Sequence, residues 1–485
     1  MSVSTRPALP TPPGPHGPSR DRPPRPQRGG GGWFRAVWRW HFYASFVVLP
    51  VLLVLAVTGL VYLFRFQLEP ALHPDLMRVE QPADRDVVQP YAGQLRAVER
   101  AHPDATVVSL AEPRDAGRST VVSVTEADGS GREVFVDPWT AEVLGDLDPD
   151  TTVSGTAIRV HADLMAGRPG DLLVELGTCW AIVMTLSGYY LFVRGRRARR
   201  RGVASGRRGA RLRSRHGAVG AVAGVGLLAM LVTGLPWTGV WGEQVQGLAT
   251  RTGSSLWSTD HGAQSEPLST LDESLPHSHA EVPWAQQRSE VPRSEPPSPG
   301  HADGSVAVAN VDTAIEVAAA QGLRRPMTVA LPGDESGTFS VIGYAFDAPS
   351  DERTVHVDQY GGTVRSSYGY DDYPALARVV SQGIGLHEGR SLGALSFVAA
   401  AAFCLAVLVL CVTGPLMWWR RRPSGRRTGA PRGRLPVRAT PWLAVALVAL
   451  GVFLPVFGVS LLLVLLLDRF VLRRVPALGR FFETT

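Results

Sequence analysis

Residues 213–237 read RSRHGAVGAVAGVGLLAMLVTGLPW. A basic run stops at Arg215 and an uncharged apolar run starts at Gly217, with one titratable ring, His216, at the seam. The apolar run, taken as 217–241, is long enough at about 1.5 Å per residue to cross a hydrocarbon layer roughly 30 Å thick. Polar groups near lipid are expensive, so a histidine at such an edge is a candidate functional residue by default.

The same pattern recurs along the chain. Blocks 42–64, 171–193, 391–419 and 441–467 are also apolar and nearly free of charge, which disfavours buried core helices of a large soluble protein. The reading is a multispanning membrane protein. The net charge of +6 hides a strong segregation. Segment 194–215 holds eleven arginines and no acid, and 420–438 holds eight arginines and no acid. Segment 240–386 holds nineteen Asp/Glu against eight Arg. Basic loops stay in the cytoplasm, so these runs read as topology anchors and a nucleic-acid partner is not expected. No signal peptide is recognised, and the first apolar block is read as a retained span.

These signs divide the chain as follows. Residues 1–32, rich in Pro, Gly and Arg, form a disordered cytoplasmic tail. Segment 33–66 is the first span, 67–157 an outer domain, and 158–193 an interfacial stretch followed by the second span. The basic loop 194–215 precedes the third span, 216–241. A second outer domain covers 242–386 and contains a flexible Ser/Pro/Glu/His-rich insertion at 251–305. The fourth span is 387–419, followed by the basic loop 420–438. The last apolar segment, 439–475, is interrupted by Pro455 and Gly458 and has arginines at both ends. It is one span or a hairpin, and the charges favour a hairpin with both ends inside.

The halves align without gaps. His41 is followed eighteen residues later by Gly59 in VTGL, and His216 eighteen residues later by Gly234, again in VTGL. His161 precedes Gly188 (LSGYYLFVRGRR) by twenty-seven residues, and His387 precedes Gly414 (VTGPLMWWRRR) by the same interval. VFVDPWTAEVLG (134–145) resembles VHVDQYGGTVRS (355–366). The chain therefore reads as a duplication of one unit, span–domain–span. In each outer domain one amphipathic helix (PYAGQLRAVERAHP; VDTAIEVAAAQG) precedes alternating strands, giving two small α+β units.

Topology puts His41 and His216 near the cytoplasmic face and His161 and His387 near the outer face. Imidazole is a natural axial ligand of haem iron. Two at each face would hold two haems, one at each side of the membrane, with small residues such as Gly217, Gly220, Gly224 and Gly226 making room. The plainer reading is that interfacial histidines are hydrated caps copied with the rest of the repeat, and that glycines at these spacings serve helix contacts. A proton relay would want acids deep in the spans, where only Glu175 comes close. Zinc would want further Cys or carboxylate ligands. His73, His102 and His356 lack repeat partners and read as surface residues. His261, His277, His279 and His301 lie in the insertion, a poor preformed metal site. Cys179, Cys404 and Cys411 all lie in spans and form no C-x-x-C, so they read as packing residues. No G-x-G-x-x-G dinucleotide fingerprint is found.

Three segments carry a resemblance. They are RVHADLMAGRPGDLLVELGTCWAIVMTLSGYYLFVRGRR (159–197), LHEGRSLGALSFVAAAAFCLAVLVLCVTGPLMWWRRR (386–422) and the tail FLPVFGVSLLLVLLLDRF. With the paired VFVDPWTAEVLG motif they resemble the PepSY-associated transmembrane helix family of bacterial inner-membrane proteins, over about residues 33–475. The resemblance implies an α-helical integral membrane protein with two extracytoplasmic α+β PepSY-like domains, located in the bacterial cytoplasmic (inner) membrane as a multi-pass protein with its N-terminus inside. It also implies two bis-histidine haem b groups, with His41 and His216 at the cytoplasmic side and His161 and His387 at the outer side as iron ligands. The implied activity is electron transfer across the membrane to a ferric chelate, as in ferric-siderophore reductases, with a separate electron donor. The alternative is a membrane-anchored PepSY sensor or peptidase-regulating protein without redox activity.

Overall fold

The computed structural model describes residues 30–252, 270–275, 282–294, 309–343, 347–421, 430, 441–472, 474–475 and 482. The tail 1–29, most of the basic loop 420–438, and all four insertion histidines lie outside the described residues. Four long apolar helices dominate: span 1 (Gly30–Leu63), span 2 (Arg168–Arg194), span 3 (Ala210–Gly234) and span 4 (Ala394–Trp419). The shortest, span 3, has 25 residues, or about 38 Å at 1.5 Å per residue. Five helices among the described residues are long and apolar enough to cross a membrane, the fifth being Pro455–Leu472.

Span 3 stops where its sequence says it should. Pro236 lacks an N–H and disfavours helix at the residue before it, so the helix passes into a 3-10 turn, Leu235–Trp237. A separate helix then runs from Gly239 to Arg251. Asp171 and Glu175, one turn apart on span 2, cap its start. Gly239 N donates to both Asp171 carboxylate oxygens at 3.1 and 3.0 Å, and Val240 N donates to Glu175 Oε2 at 3.0 Å. Carboxylates suit that position because the first N–H groups of a helix lack partners and carry partial positive charge. The apolar stretch through residue 241 is thus not one helix, contrary to the boundary read from composition.

The strands form one sheet rather than two. β1 (Thr106–Ala111), β2 (Thr120–Thr125), β3 (Gly131–Val136) and β4 (Val143–Leu147) come from the first half. β5 (Met327–Ala330), β6 (Thr338–Gly343), β7 (Arg353–Asp358) and β8 (Val364–Gly369) come from the second. The order is β4-β3-β2-β1-β5-β6-β7-β8, antiparallel throughout. At the seam Leu110 lies opposite Val329. Glu112 fastens it: Met327 N donates to Oε2 and Arg325 Nη1 to Oε1, both at 2.9 Å. Helices Tyr91–Ala101 and Val311–Ala320 cover one face. They are joined through Asp312, whose carboxylate accepts from Tyr91 N (2.7 Å) and Ala92 N (2.9 Å). Val98, Leu110, Val122, Val134, Ile315, Val329, Val341 and Val355 form the core beneath them.

The opposite face of the second half is covered too, by part of the insertion. Val282, Trp284, Ala285, Gln286, Ser289, Val291 and Ser294 are all buried. Gln286 reaches Thr354 and Tyr373 at 2.5 and 2.8 Å, and Leu271, Leu275, Val282 and Val291 pack on Ala330 and Ile342. This corrects the expectation of a flexible insertion for residues 270–275 and 282–294. Five large apolar side chains among the Ser, Pro and Glu suffice to bind the segment to the sheet.

After Trp419 the described chain resumes with helices Pro441–Phe453 and Pro455–Leu467, which pack on each other across a bend at Leu454. Gly451 and Gly458 allow this: a Cβ on Gly458 would stand 2.5 Å from the Gly451 carbonyl oxygen. The second helix lies on span 2, where Trp180 Nε1 donates to Ser460 Oγ at 3.0 Å. The carbonyl of Phe482 accepts from Arg39 and Tyr43 at 2.9 and 2.7 Å, so this residue rests at the start of span 1.

Candidate functional site

Each span packs on two others, in the cyclic order 1–2–3–4, so spans 1 and 3 face each other across the bundle, as do spans 2 and 4. His41 belongs to span 1 and His216 to span 3. His161 ends the short helix Val153–Asp163 that leads into span 2, and His387 closes the helix Ala375–His387 that leads into span 4. The two members of each predicted pair therefore come from opposite sides of the bundle. The rings of His161 and His387 lie with centroids 6.3 Å apart and planes at 85°. His41 and His216 are within electrostatic reach of each other. All four histidines are half-buried.

Each ring is held by the other span of its own half. His161 Nδ1 lies 2.8 Å from Thr58 Oγ1, His216 Nδ1 2.8 Å from Thr413 Oγ1, and His387 Nδ1 3.2 Å from Thr233 Oγ1. His41 Nδ1 lies 3.0 Å from both Ser187 Oγ and the Met184 carbonyl oxygen. The direction of these bonds follows from the hydroxyls. Each donates its one proton to a carbonyl on its own helix: Thr58 to Val54, Thr233 to Ala229, Thr413 to Val409 and Ser187 to Met184, at 2.7–2.9 Å. The hydroxyl oxygen is left to accept, so the proton sits on Nδ1 and Nε2 carries the lone pair. For His41 the Met184 carbonyl forces the same tautomer, since a carbonyl only accepts. No described residue hydrogen-bonds any of the four Nε2 atoms.

The glycine after each hydroxyl completes the cradle. A Cβ at Gly234 would stand 3.1 Å from His387 Cε1, and at Gly188 3.2 Å from His41 Cε1. At Gly59 and Gly414 the corresponding distances to His161 and His216 are 3.6 and 4.0 Å. The sequence spacing picked out these glycines but passed over Thr58, Ser187, Thr233 and Thr413. The signal was available: a hydroxyl residue precedes the glycine in all four motifs. Trp237 adds a further contact, its ring edge-on to His387 at 5.6 Å.

A family model for the PepSY-associated TM region matches residues 38–421. The chain belongs to this family. The PepSY-associated TM region thus spans four long helices, all four histidines, the four hydroxyl–glycine pairs and the whole eight-stranded sheet. The family and the apolar helices together make this a multi-pass membrane protein. A comparison with curated proteins found no match.

The other residues considered as site candidates take structural parts in the PepSY-associated TM region. His356 is fully buried rather than on the surface: it bridges Ser340 Oγ (2.9 Å) and Tyr368 OH (3.0 Å) beneath the segment 282–294. His102 pairs with Glu126 at 3.1 Å, and His73 lies 3.7 Å from Glu69. Gly217, Gly224 and Gly226 admit the side chains of Phe192, Tyr189 and Phe403, which makes them helix-contact residues. The three cysteines are buried and free. Glu175 serves as a helix cap, with Oε1 buried and without a hydrogen-bond partner. Among the described residues no group of three His, Cys, Asp or Glu side chains is set to hold a metal ion by itself.

Proposed function

We propose that this protein carries two b-type haems, His41 and His216 holding one and His161 and His387 the other. On this reading it moves electrons across the bacterial cytoplasmic membrane to an acceptor on the sheet-bearing side, a ferric chelate. The observation that carries the reading is the shared state of the four rings. Each has Nδ1 committed to a hydroxyl or carbonyl, Cε1 seated on glycine and Nε2 unpartnered. That is the tautomer a metal ligand needs, and the hydrogen bond on the far nitrogen is what fixes ligand orientation.

The donor set fits a porphyrin better than a bare ion. Structural and catalytic zinc sites draw three or four ligands from the protein, whereas haem iron with its four ring nitrogens asks for at most two. The outer pair has a suitable separation. The rings of His161 and His387 lie with centres 6.3 Å apart, close enough that both could hold one bound haem. A haem held by these histidines would supply one-electron transfer. The chain's own part is to fix the tautomer, orient the rings and enclose them in apolar helices.

The duplication belongs to the same proposal. Equal histidine-to-glycine intervals, reciprocal cradles in both halves and a sheet whose strand order mirrors about the β1–β5 seam support one ancestral span–domain–span unit. With the N-terminus inside, the two PepSY-like halves face the extracytoplasmic side. The basic runs support an inner location for the start of span 1, and Phe482 lies beside it through Arg39 and Tyr43. The test is optical. Purified protein in detergent should give a reduced-minus-oxidised b-type spectrum, and the reduced form should be reoxidised by a ferric chelate. A haem signal that ferric chelates leave reduced would reject the acceptor; an absent signal would favour a membrane-anchored binding protein without redox activity.

A further inference from the structure

The outer ligand helices are fastened differently, and the difference centres on Arg390. This residue lies just past the helix that ends at His387, and its side chain is only 11% exposed. Its guanidinium reaches three partners: Nε donates to Glu388 Oε2 (2.5 Å), Nη2 to Glu352 Oε1 (3.1 Å) and Nη1 to the Asp347 carbonyl oxygen (2.5 Å). Glu352 precedes β7 and is 3% exposed; its other oxygen accepts from Ser381 Oγ at 2.8 Å and Tyr373 OH at 3.1 Å. Ser381 stands on the same helix as His387. One buried network therefore grips that helix in its middle and at its end, and joins both points to the second half of the sheet.

Among the described residues, the first half sets no buried arginine of this kind against His161's helix. In the ungapped repeat Leu164 stands where the second half has Arg390, and the next arginine along, Arg168, is 75% exposed and lies 3.9 Å from Glu243. His161's helix is held at its first turn, where Glu69 Oε1 accepts from Ser154 N and Oγ, both at 2.6 Å, and in its middle by the exposed pair Arg159–Asp150 at 3.6 Å.

We propose that Arg390 is a positioning residue for His387, tying the outer ligand to the second half of the sheet. The proposal rests on the haem reading above. Only arginine, with its planar fork of donors, serves two carboxylates and a carbonyl at once, and withdrawing it leaves buried carboxylates uncompensated.

The test compares full-length Arg390→Gln, Arg390→Lys and Arg168→Gln with the wild-type protein by low-temperature electron paramagnetic resonance and potentiometric titration. The expected result is loss or shift of one of the two low-spin signals in Arg390→Gln, with the other unchanged as an internal reference. Arg390→Lys should fall between, and Arg168→Gln should match wild type. Two unaltered signals in Arg390→Gln would overturn the proposal while leaving the haem reading intact. Equal loss of both signals in Arg390→Gln and Arg390→Lys would also overturn it, because Arg390 would then be a general fold residue. A wild-type protein without haem signals would sink the underlying reading.

Discussion

The cradle glycines differ by tenths of an ångström, and the difference should be measurable. In Gly234→Ala the new methyl would stand 3.1 Å from His387 Cε1, and in Gly188→Ala 3.2 Å from His41 Cε1. Carbon pairs settle at about 3.5–4.0 Å, so each ring must retreat by roughly 0.3–0.4 Å or its helix must move. The ring is already bound on its Nδ1 side, so retreat strains that bond or the Nε2 position. Overpacking of this kind costs about 1–3 kcal/mol, a roughly five- to 150-fold loss of ligand strength at about 1.4 kcal/mol per factor of ten. Gly59→Ala and Gly414→Ala place the methyl 3.6 and 4.0 Å from the rings, in ordinary contact. Each proposed haem site thus has one tight and one tolerant glycine. The assay is haem release to an excess of apomyoglobin, followed optically, for all four variants. Gly234→Ala should speed loss from the outer site and Gly188→Ala from the inner one, with the other two near wild type. Four equal rates, or faster loss in Gly59→Ala and Gly414→Ala, would refute the cradle argument.

Other outcomes follow from the same contacts. Thr413→Val removes the hydroxyl acceptor of His216 Nδ1, leaving a buried donor unsatisfied at a cost of about 1–3 kcal/mol. Ser187→Ala leaves His41 the Met184 carbonyl, so it should weaken haem retention less than Thr413→Val in the same release assay. Burial holds the Glu352 carboxyl above its usual 4.5, against the pull of Arg390, Ser381 and Tyr373. Between 4.5 and the raised value the folded protein keeps a proton that the unfolded chain has released. Stability contributed by this group therefore falls as pH rises through that window, and Glu352→Gln should flatten that part of a melting-temperature profile.

The spans were legible because lipid demands long uncharged runs, and the four histidines because two intervals of eighteen and two of twenty-seven residues repeat without gaps. Thr58, Ser187, Thr233 and Thr413 were not, since a single hydroxyl in an apolar helix ordinarily bonds back to its own carbonyls. They do this, and their remaining capacity to accept becomes visible only when the partner helix arrives. The merging of two expected domains into one sheet was hidden for a related reason. Nothing in the sequence around β1 and β5 marks them as partners, and Glu112 meets Arg325 from 213 residues away. His356 alternates with Val355 and Val357 and so lies on the face opposite the helices. The segment that covers that face is hard to see in the sequence, because Val282, Trp284 and Val291 are diluted by the polar composition around them. The close of span 3 was written plainly in Pro236, but mean apolarity through Trp241 outweighed it.

The central claim is that four imidazoles in this bundle grip two iron porphyrins. A pyridine haemochrome assay on detergent-purified protein from iron-replete, haem-sufficient cells tests it most directly, with His41→Ala, His161→Ala, His216→Ala and His387→Ala alongside. The account predicts two b-type haems per chain in the wild type and close to one in every variant. A colourless wild-type protein, or four variants that each keep the full wild-type content, would contradict it.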